Sequence, residues 1–442
     1  MTHPRVGVWL ALVVAWLTPA ALAAQDPLEA KAQHFRQAIV ERHLSPEGLL
    51  LYRVNLETIE DDLVTGRYPH LADTPTFTGQ LAATACTRAN VTKGAQRQEA
   101  LEDASQALDG LGLLMDVTGL RGLLARGVRR DDIPDLSALR GTWFRGAPGF
   151  SGYSWRGDVS MDQYANGLLP AVAACHDHFP ERSRRLVADV ASHLFAHDMH
   201  LVDPDGESTR YGNLSRTAGA GFNSIALLTG YAVFALAASL DPDPRWAQQR
   251  DLLRDRDRVV ARARDTNLRI LGITNYSNDL MAWNLYRVLV PLARRTGDPA
   301  LVDLRHGMFR TWHRVKSDGN AYFTLVLCQI EPGACERPAL MAAREMLERF
   351  PLDKTKRSLR PELAQLPRRW LPGRKRRPQA RAPVPIELRP PSSFEWKSSP
   401  YRLDASVMPG WTYTGLDYLA AYWLYRSLDP SVGPPPKTPK GN

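Results

Sequence analysis

Residues 161–198 read MDQYANGLLPAVAACHDHFPERSRRLVADVASHLFAHD, and they contain two different kinds of helix. The first, near 161–176, is apolar almost all round, which is the pattern of a helix buried on every side. The second, near 182–198, steps Leu186, Val190, Leu194, His197 along one face and is charged on the other. That is the pattern of a helix lying outside, with one stripe turned inward.

The same alternation recurs along the chain. Helices near 222–240, 278–295 and 414–428 resemble the first kind, and those near 97–117, 245–264 and 299–316 the second. Further helical periods run near 78–90 and 338–349, and Leu28, Ala32, Phe35 and Ile39 mark another. Leu49–Val54 and Tyr322–Ile330 are the main strand candidates, although the second also reads as a buried helix. A buried helix followed by a surface helix, repeated every 55–65 residues or so, predicts an all-α ring of helical hairpins with few short strands. An open α-solenoid that only binds partners is the competing architecture. A last helix packed against the first would distinguish the ring.

Outside this pattern the chain divides as follows. Residues 1–23 carry Arg5, an apolar run from Val6 to Leu17 and Ala21-Leu22-Ala23, so they are expected to be a signal peptide cut before Ala24. That places the protein outside the cytosol, periplasmic or secreted. Residues 24–350 are expected to form the main body and 401–429 its last helix. Residues 351–400 hold ten prolines and read as an excursion, partly disordered, while 430–442 read as a disordered tail. The net charge of +9 is local: Lys354–Arg381 has eleven Lys or Arg against one acid, Glu362, and so carries +10. This strip is expected to touch an anionic polymer or membrane surface weakly, and its proline content argues against specific recognition of nucleic acid. Four cysteines in an exported chain predict disulfides. Cys328 and Cys335 are the favoured pair, and Cys86 with Cys175 is left open.

Tyr153-Ser-Trp-Arg-Gly-Asp-Val-Ser-Met-Asp-Gln-Tyr164 is the richest stretch chemically. Ser160 and Gln163 form a capping box that starts a helix at Met161. Asp158 then precedes the helix and Asp162 lies in its first turn, with Trp155 and Tyr164 nearby as sugar-binding candidates and Arg156 expected to bind a carboxylate on the sugar or tune Asp158. A carboxylic acid and a carboxylate in different environments are what glycosidic hydrolysis needs, and aromatic faces suit sugar rings. The bland reading is that Asp162 stabilises the helix N-terminus and that Arg156 neutralises Asp158. Similar starts occur at Asp73-Thr-Pro-Thr-Phe-Thr-Gly-Gln80, Thr274-Asn-Tyr-Ser-Asn-Asp279 and Pro409-Gly-Trp-Thr-Tyr-Thr414. They add Tyr276, Asn278, Trp411 and Tyr413 as sugar-binding candidates. His193 and His197 are four residues apart, but no Glu lies between them in an H-E-x-x-H pattern, so neither a metal nor another cofactor is expected. Gly149-Phe-Ser151-Gly152 misses the nucleophile elbow of serine hydrolases.

The hairpin repeat, the export signal and Trp155-Arg-Gly-Asp158 before a buried helix resemble the six-hairpin glycosidase superfamily over roughly 28–350 and 400–428. The resemblance implies an (α/α)6 toroid. It also implies a carbohydrate-active enzyme: a glycoside hydrolase on a poly- or oligosaccharide, uronate-containing ones included, or a polysaccharide lyase or uronyl epimerase on the same fold. In one branch, the unsaturated-glucuronyl hydrolases, aspartates at the mouth of the ring do the acid/base work, and Asp158 is the position the resemblance carries over. No further stretch matches that branch, so the reaction and the second carboxylate stay open, with Asp162 as candidate.

Overall fold

The computed structural model describes residues 26–130, 135–218, 224–265, 274–355, 360–370, 378–403 and 408–428. The expected signal peptide, the tail and the centre of the basic strip lie outside these residues.

Six helices form an inner ring: Thr74–Val91, Met161–Cys175, Ser224–Leu240, Tyr276–Thr296, Ala321–Ile330 and Leu416–Ser427. The second of these contains a π-turn at Tyr164–Leu168. Each inner helix is followed by an outer one: Gly94–Asp116, Pro180–Ala196, Pro244–Asp251 continued to Arg256, Leu301–Val315, Arg337–Arg349 and, for the last, Pro27–Ala38 continued to His43. Neighbouring inner helices pack in this order around the ring, and the last packs on the first. The ring is therefore closed and the open solenoid is excluded. At the seam, Tyr418 donates its hydroxyl to the Leu28 carbonyl at 2.8 Å, its ring lies 5.2 Å from that of Phe35, and strand Arg53–Asn55 pairs antiparallel with Trp411–Tyr413.

Burial explains the two helix classes. Every side chain from Ile225 to Ala237 is buried, and nearly all of Thr74–Ala89. The outer helices bury only one stripe, such as Leu304, Met308, Thr311 and Val315. Tyr322–Ile330 proves to be an inner helix, because an apolar segment surrounded on all sides has no face for a strand's alternation to mark. One polar group of side chains is paired across the inside of the ring: Asn284 Nδ2 donates to Asn166 Oδ1 at 2.9 Å, and Tyr322 donates to Asn284 Oδ1 at 2.7 Å.

The two ends of the ring differ. Turns from inner to outer helices are short, such as Thr92–Lys93. Connections from outer to inner helices are long and carry the strands. Among these is a three-stranded antiparallel sheet with Tyr153–Arg156 central between Gly127–Arg130 and Trp143–Arg145, and a hairpin of His200–Val202 with Ser208–Asn213. All inner N-termini open at this elaborated end, hereafter the mouth. Long loops positioned by a rigid scaffold are where sites tend to be built.

The described part of 351–403 is folded onto the mouth. Trp396 is buried, and its indole N–H reaches the Asp417 carbonyl at 2.6 Å. The Lys354 ammonium meets Asp417 Oδ2 at 2.7 Å with both side chains buried. Lys354, the first residue of the basic strip, is thus an interior anchor, and Arg369 lies 4.5 Å over the Tyr401 ring. Both disulfides, Cys328–Cys335 and Cys86–Cys175, are formed. Among the described residues no helix is long and apolar enough to cross a membrane.

Candidate active site at the mouth of the ring

Two inner helices bring the central carboxylates together. Helices 74–91 and 161–175 cross where Gly79 meets Gly167; a Cβ on Gly167 would stand 2.3 Å from the Pro75 carbonyl oxygen. Only glycine permits that approach, and it sets the two N-termini side by side. Asp73 is the N-cap residue of the first helix, yet its side chain makes no capping hydrogen bond. Asp162 lies in the first turn of the second, as the sequence predicts, and Gln163 Oε1 accepts the Ser160 N–H at 2.8 Å.

The two carboxylates sit in different surroundings. Burial pushes the Asp162 carboxyl above its usual range. The charge of Asp73 adds to this, whereas a hydrogen bond from Ser160 and the charges of Arg126 and Lys397 oppose it. Asp73 is more open and faces the Arg126 guanidinium at 3.6 Å. Tyr52 lies alongside, stacked on Phe77 at 4.8 Å, its phenol pushed up to about 12 by burial and then by Asp73.

Asp158 is held rigidly. Its backbone is left-handed, with φ of 58°. That conformation costs a non-glycine residue roughly 1–3 kcal/mol. Three bonds fix it: its N–H donates to Asp203 Oδ2 at 2.8 Å, its carbonyl accepts from Arg126 Nη1 at 3.0 Å, and its Oδ1 accepts from the Arg210 N–H at 2.9 Å. Asp203 comes from the 200–213 hairpin, and burial pushes its carboxyl up to about 6. Gly157 makes room for it, since a Cβ there would lie 2.9 Å from Asp203 Oδ2.

The remaining candidates separate into two groups. Arg156 is half-buried at the mouth, and Trp411 and Tyr413 line its edge. The Trp411 ring has the Arg53 guanidinium 5.2 Å above it and His70 at 4.6 Å. Asn278 is partly exposed and accepts from Asn275 at 3.1 Å. Trp155 and Tyr164 must be corrected: they are 0% and 1% exposed and belong to the core. Trp155 packs on Phe144 and bonds the Arg145 carbonyl, and the Tyr164 hydroxyl accepts from the Leu124 N–H at 3.1 Å. Neither can offer a ring face to a sugar. Tyr276, 7% exposed, spends its hydroxyl on Asp318 at 3.0 Å. His193 is likewise occupied, its Nε2 accepting from the Val202 N–H at 3.1 Å.

The sequence reading missed three members of the cluster: Tyr52, Asp203 and Lys397. Asp203 lies in Val-Asp-Pro-Asp-Gly, which reads as an ordinary turn. Only Asp73 carried a signal, in its likeness to the other helix starts. A cavity of about 280 Å³ opens elsewhere, between the 27–43 and 94–116 helices. Its charged lining is already paired, Arg36 with Asp103 and Arg88 with Glu99, so the chemistry points to the mouth and not to that cavity.

No protein-family model matches the sequence, and no curated protein matches it. Among solved structures, the chain is similar to a family 76 glycoside hydrolase from a bovine Bacteroides thetaiotaomicron strain, with a TM-score of 0.51, 9% identity, and 91% of this chain and 77% of that one covered. A Zn-binding triple mutant of the family 9 endoglucanase J30 superposes less well, with a TM-score of 0.44 and 13% identity over 91% of this chain and 85% of that one. With its ring closed and its strands confined to one end, the chain has an (α/α)6 toroid fold, similar to that of the family 76 glycoside hydrolase.

Proposed function

We propose that the protein is an exported glycoside hydrolase acting on a poly- or oligosaccharide at the mouth of the toroid. The observation that carries this reading is the meeting of Asp162, desolvated and held toward its acid form, with the more open carboxylate Asp73, which Arg126 links to the Asp158 backbone. Paired carboxyls whose environments separate their proton affinities can divide the work of acid and base. Asp162 is assigned as proton donor to the leaving sugar. Asp158 is the carboxylate held in place by its surroundings, and Asp73 is the one coupled electrostatically to Asp162. Trp411, Tyr413 and Tyr52 flank the sugar in place of Trp155 and Tyr164.

The export signal and the two disulfides support a location outside the cytosol. The basic strip beyond Lys354 would hold the protein weakly to an anionic polymer or surface. Replacing Arg374, Lys375, Arg376 and Arg377 by Gln should bring elution from an anionic resin to lower salt, and unchanged elution would remove that contact.

The test of the enzyme is a screen of the mature protein against acidic and neutral glycans, following reducing ends and ultraviolet absorbance together. Hydrolysis yields reducing ends without absorbance, whereas elimination yields both. Asp162→Asn and Asp158→Asn should each lower turnover by about 10²–10⁴-fold while remaining folded. Wild-type turnover in folded Asp162→Asn refutes the assignment of the acid, and binding without turnover by the native protein leaves a carbohydrate-binding module.

A further inference from the structure

Cations deep in the mouth are matched to acids. Lys354 holds Asp417, Arg389 faces Glu395 at 3.5 Å, and Arg314 holds Asp279. Two cations near the Asp73–Asp162 pair are not matched: Arg156 on the Asp73 side and Lys397 on the Asp162 side. Arg156 is half-buried, yet no hydrogen-bond acceptor or carboxylate among the described residues lies within bonding distance of its guanidinium. Lys397 places its ammonium 5.0 Å over the Phe77 ring and has no acid within ion-pair distance among the described residues. The Arg156 guanidinium nitrogens are not sealed from solvent, so an acceptor supplied from outside can reach them.

The surroundings hold both cations in place. Arg156 ends the central strand of the three-stranded sheet, in register with Gly127 and Trp143. Gly141, at φ of +101°, leaves space that a Cβ would close to 3.1 Å from Arg156 Nε. Behind it, Arg126 is fully engaged, donating to the Ala72 and Asp158 carbonyls at 2.9 and 3.0 Å and facing Asp73. Arg156 feels the charges of Arg126, Asp73, Tyr52 and Asp158, and burial with Arg126 outweighs the acids, so its proton affinity is lowered. Lys397 follows the buried Trp396 and is near enough to Asp162 to act on its charge. The two free cations thus flank the carboxylate pair on a wall of Tyr52 and Phe77.

We infer that Arg156 and Lys397 form an anion subsite, and that the glycan this site takes is acidic, with a sugar carboxylate held by the Arg156 fork and Lys397 next to the bond presented to Asp162. The inference rests on the glycan-processing reading of the mouth and adds the substrate class. A planar guanidinium matches a carboxylate with two parallel hydrogen bonds.

The experiment measures binding to the full mature chain carrying Asp162→Asn, so that turnover does not intrude. The probes are an oligouronate, a sulfated oligosaccharide and a neutral oligosaccharide of equal length. Expected is a preference for the oligouronate of about tenfold or more over the other two, weakened by salt. Adding Arg156→Gln or Lys397→Gln should each weaken oligouronate binding roughly 10-fold or more and leave neutral binding unchanged. If one of these variants fails to fold, the other carries the test. Equal binding of neutral and acidic probes, a preference for the sulfated probe, binding of none of the three, or no effect of the folded variants each overturns the inference. The two readings fail differently. Turnover of neutral glycans alone keeps the hydrolase and removes the subsite. Selective oligouronate binding with no turnover by the native protein keeps the subsite and removes the hydrolase.

Discussion

Asp417→Asn is expected to destabilise the protein by about 3–5 kcal/mol, the range for breaking a buried ion pair from one side. The structure supplies the terms. Lys354 Nζ and Asp417 Oδ2 are 2.7 Å apart, with side-chain exposures of 6% and 0%. Asp417 Oδ2 also accepts the Glu395 N–H at 2.9 Å, and Oδ1 accepts the Tyr418 N–H at 3.1 Å. Asparagine keeps the shape but strands the Lys354 charge, and its amide N–H2 turns a donor toward groups that are donors already. Lys354→Met removes the other charge and leaves the carboxylate unpaired, at a similar cost. Combining Lys354→Met with Asp417→Asn removes both charges, so the double variant should regain about 2–3 kcal/mol over the sum of the singles. Urea unfolding of the four proteins, followed by the fluorescence of buried tryptophans such as Trp396, measures this cycle. The midpoints should shift with little change in slope. Single-variant losses under about 1 kcal/mol, or strictly additive losses, would refute the claim that this pair anchors the 351–403 segment on the ring. The same anchor carries Trp396 and Lys397 into the mouth, so the singles should also lower the affinity for an acidic glycan.

Three further outcomes follow from named contacts. Gly167→Ala puts a methyl against the Pro75 carbonyl and forces helices 74–91 and 161–175 apart, costing about 1–3 kcal/mol and reducing turnover about 10–100-fold as Asp73 and Asp162 separate; Gly112→Ala, with nothing within 4 Å, is the control and should be neutral or slightly stabilising. Asp203 has a folded-state pKa of about 6, above its unfolded value of about 3.9, so the native state holds the proton more tightly and stability falls as pH rises from about 4 to 6. Urea midpoints of wild type and Asp203→Asn should therefore diverge over that window in favour of the variant, by up to about 3 kcal/mol, and parallel curves would contradict the assignment. Removing Cys86–Cys175, which spans 89 residues, should cost about 4–5 kcal/mol, against about 2 kcal/mol for Cys328–Cys335, which spans 7; thermal melts of the two Cys→Ala pairs test the order.

What the sequence determined by itself was whatever depends on local pattern. The contrast between helices apolar all round and helices apolar on one stripe distinguishes inner from outer elements, because each side chain reports how many sides of its helix meet protein. The capping box at Ser160 and Gln163 likewise announced where a helix begins, since it needs only four residues. The tertiary structure decided what depends on chains meeting from afar. Trp155 and Tyr164 look like Trp411 and Tyr413 in sequence, for an aromatic residue at a helix start is equally suited to core or cleft, and only distant packing, Phe144 on Trp155 and the Gly122–Leu124 turn on Tyr164, makes them core. The prolines and charges of 351–400 read as a loose excursion, yet Lys354 finds Asp417 across 63 positions and turns a solvated charge into an anchor. Asp203 and Lys397 reach the mouth from a turn and an irregular segment, with no period or motif to mark them. Their proximity to Asp158 and Asp162 is a property of ring closure, which no local stretch of sequence encodes.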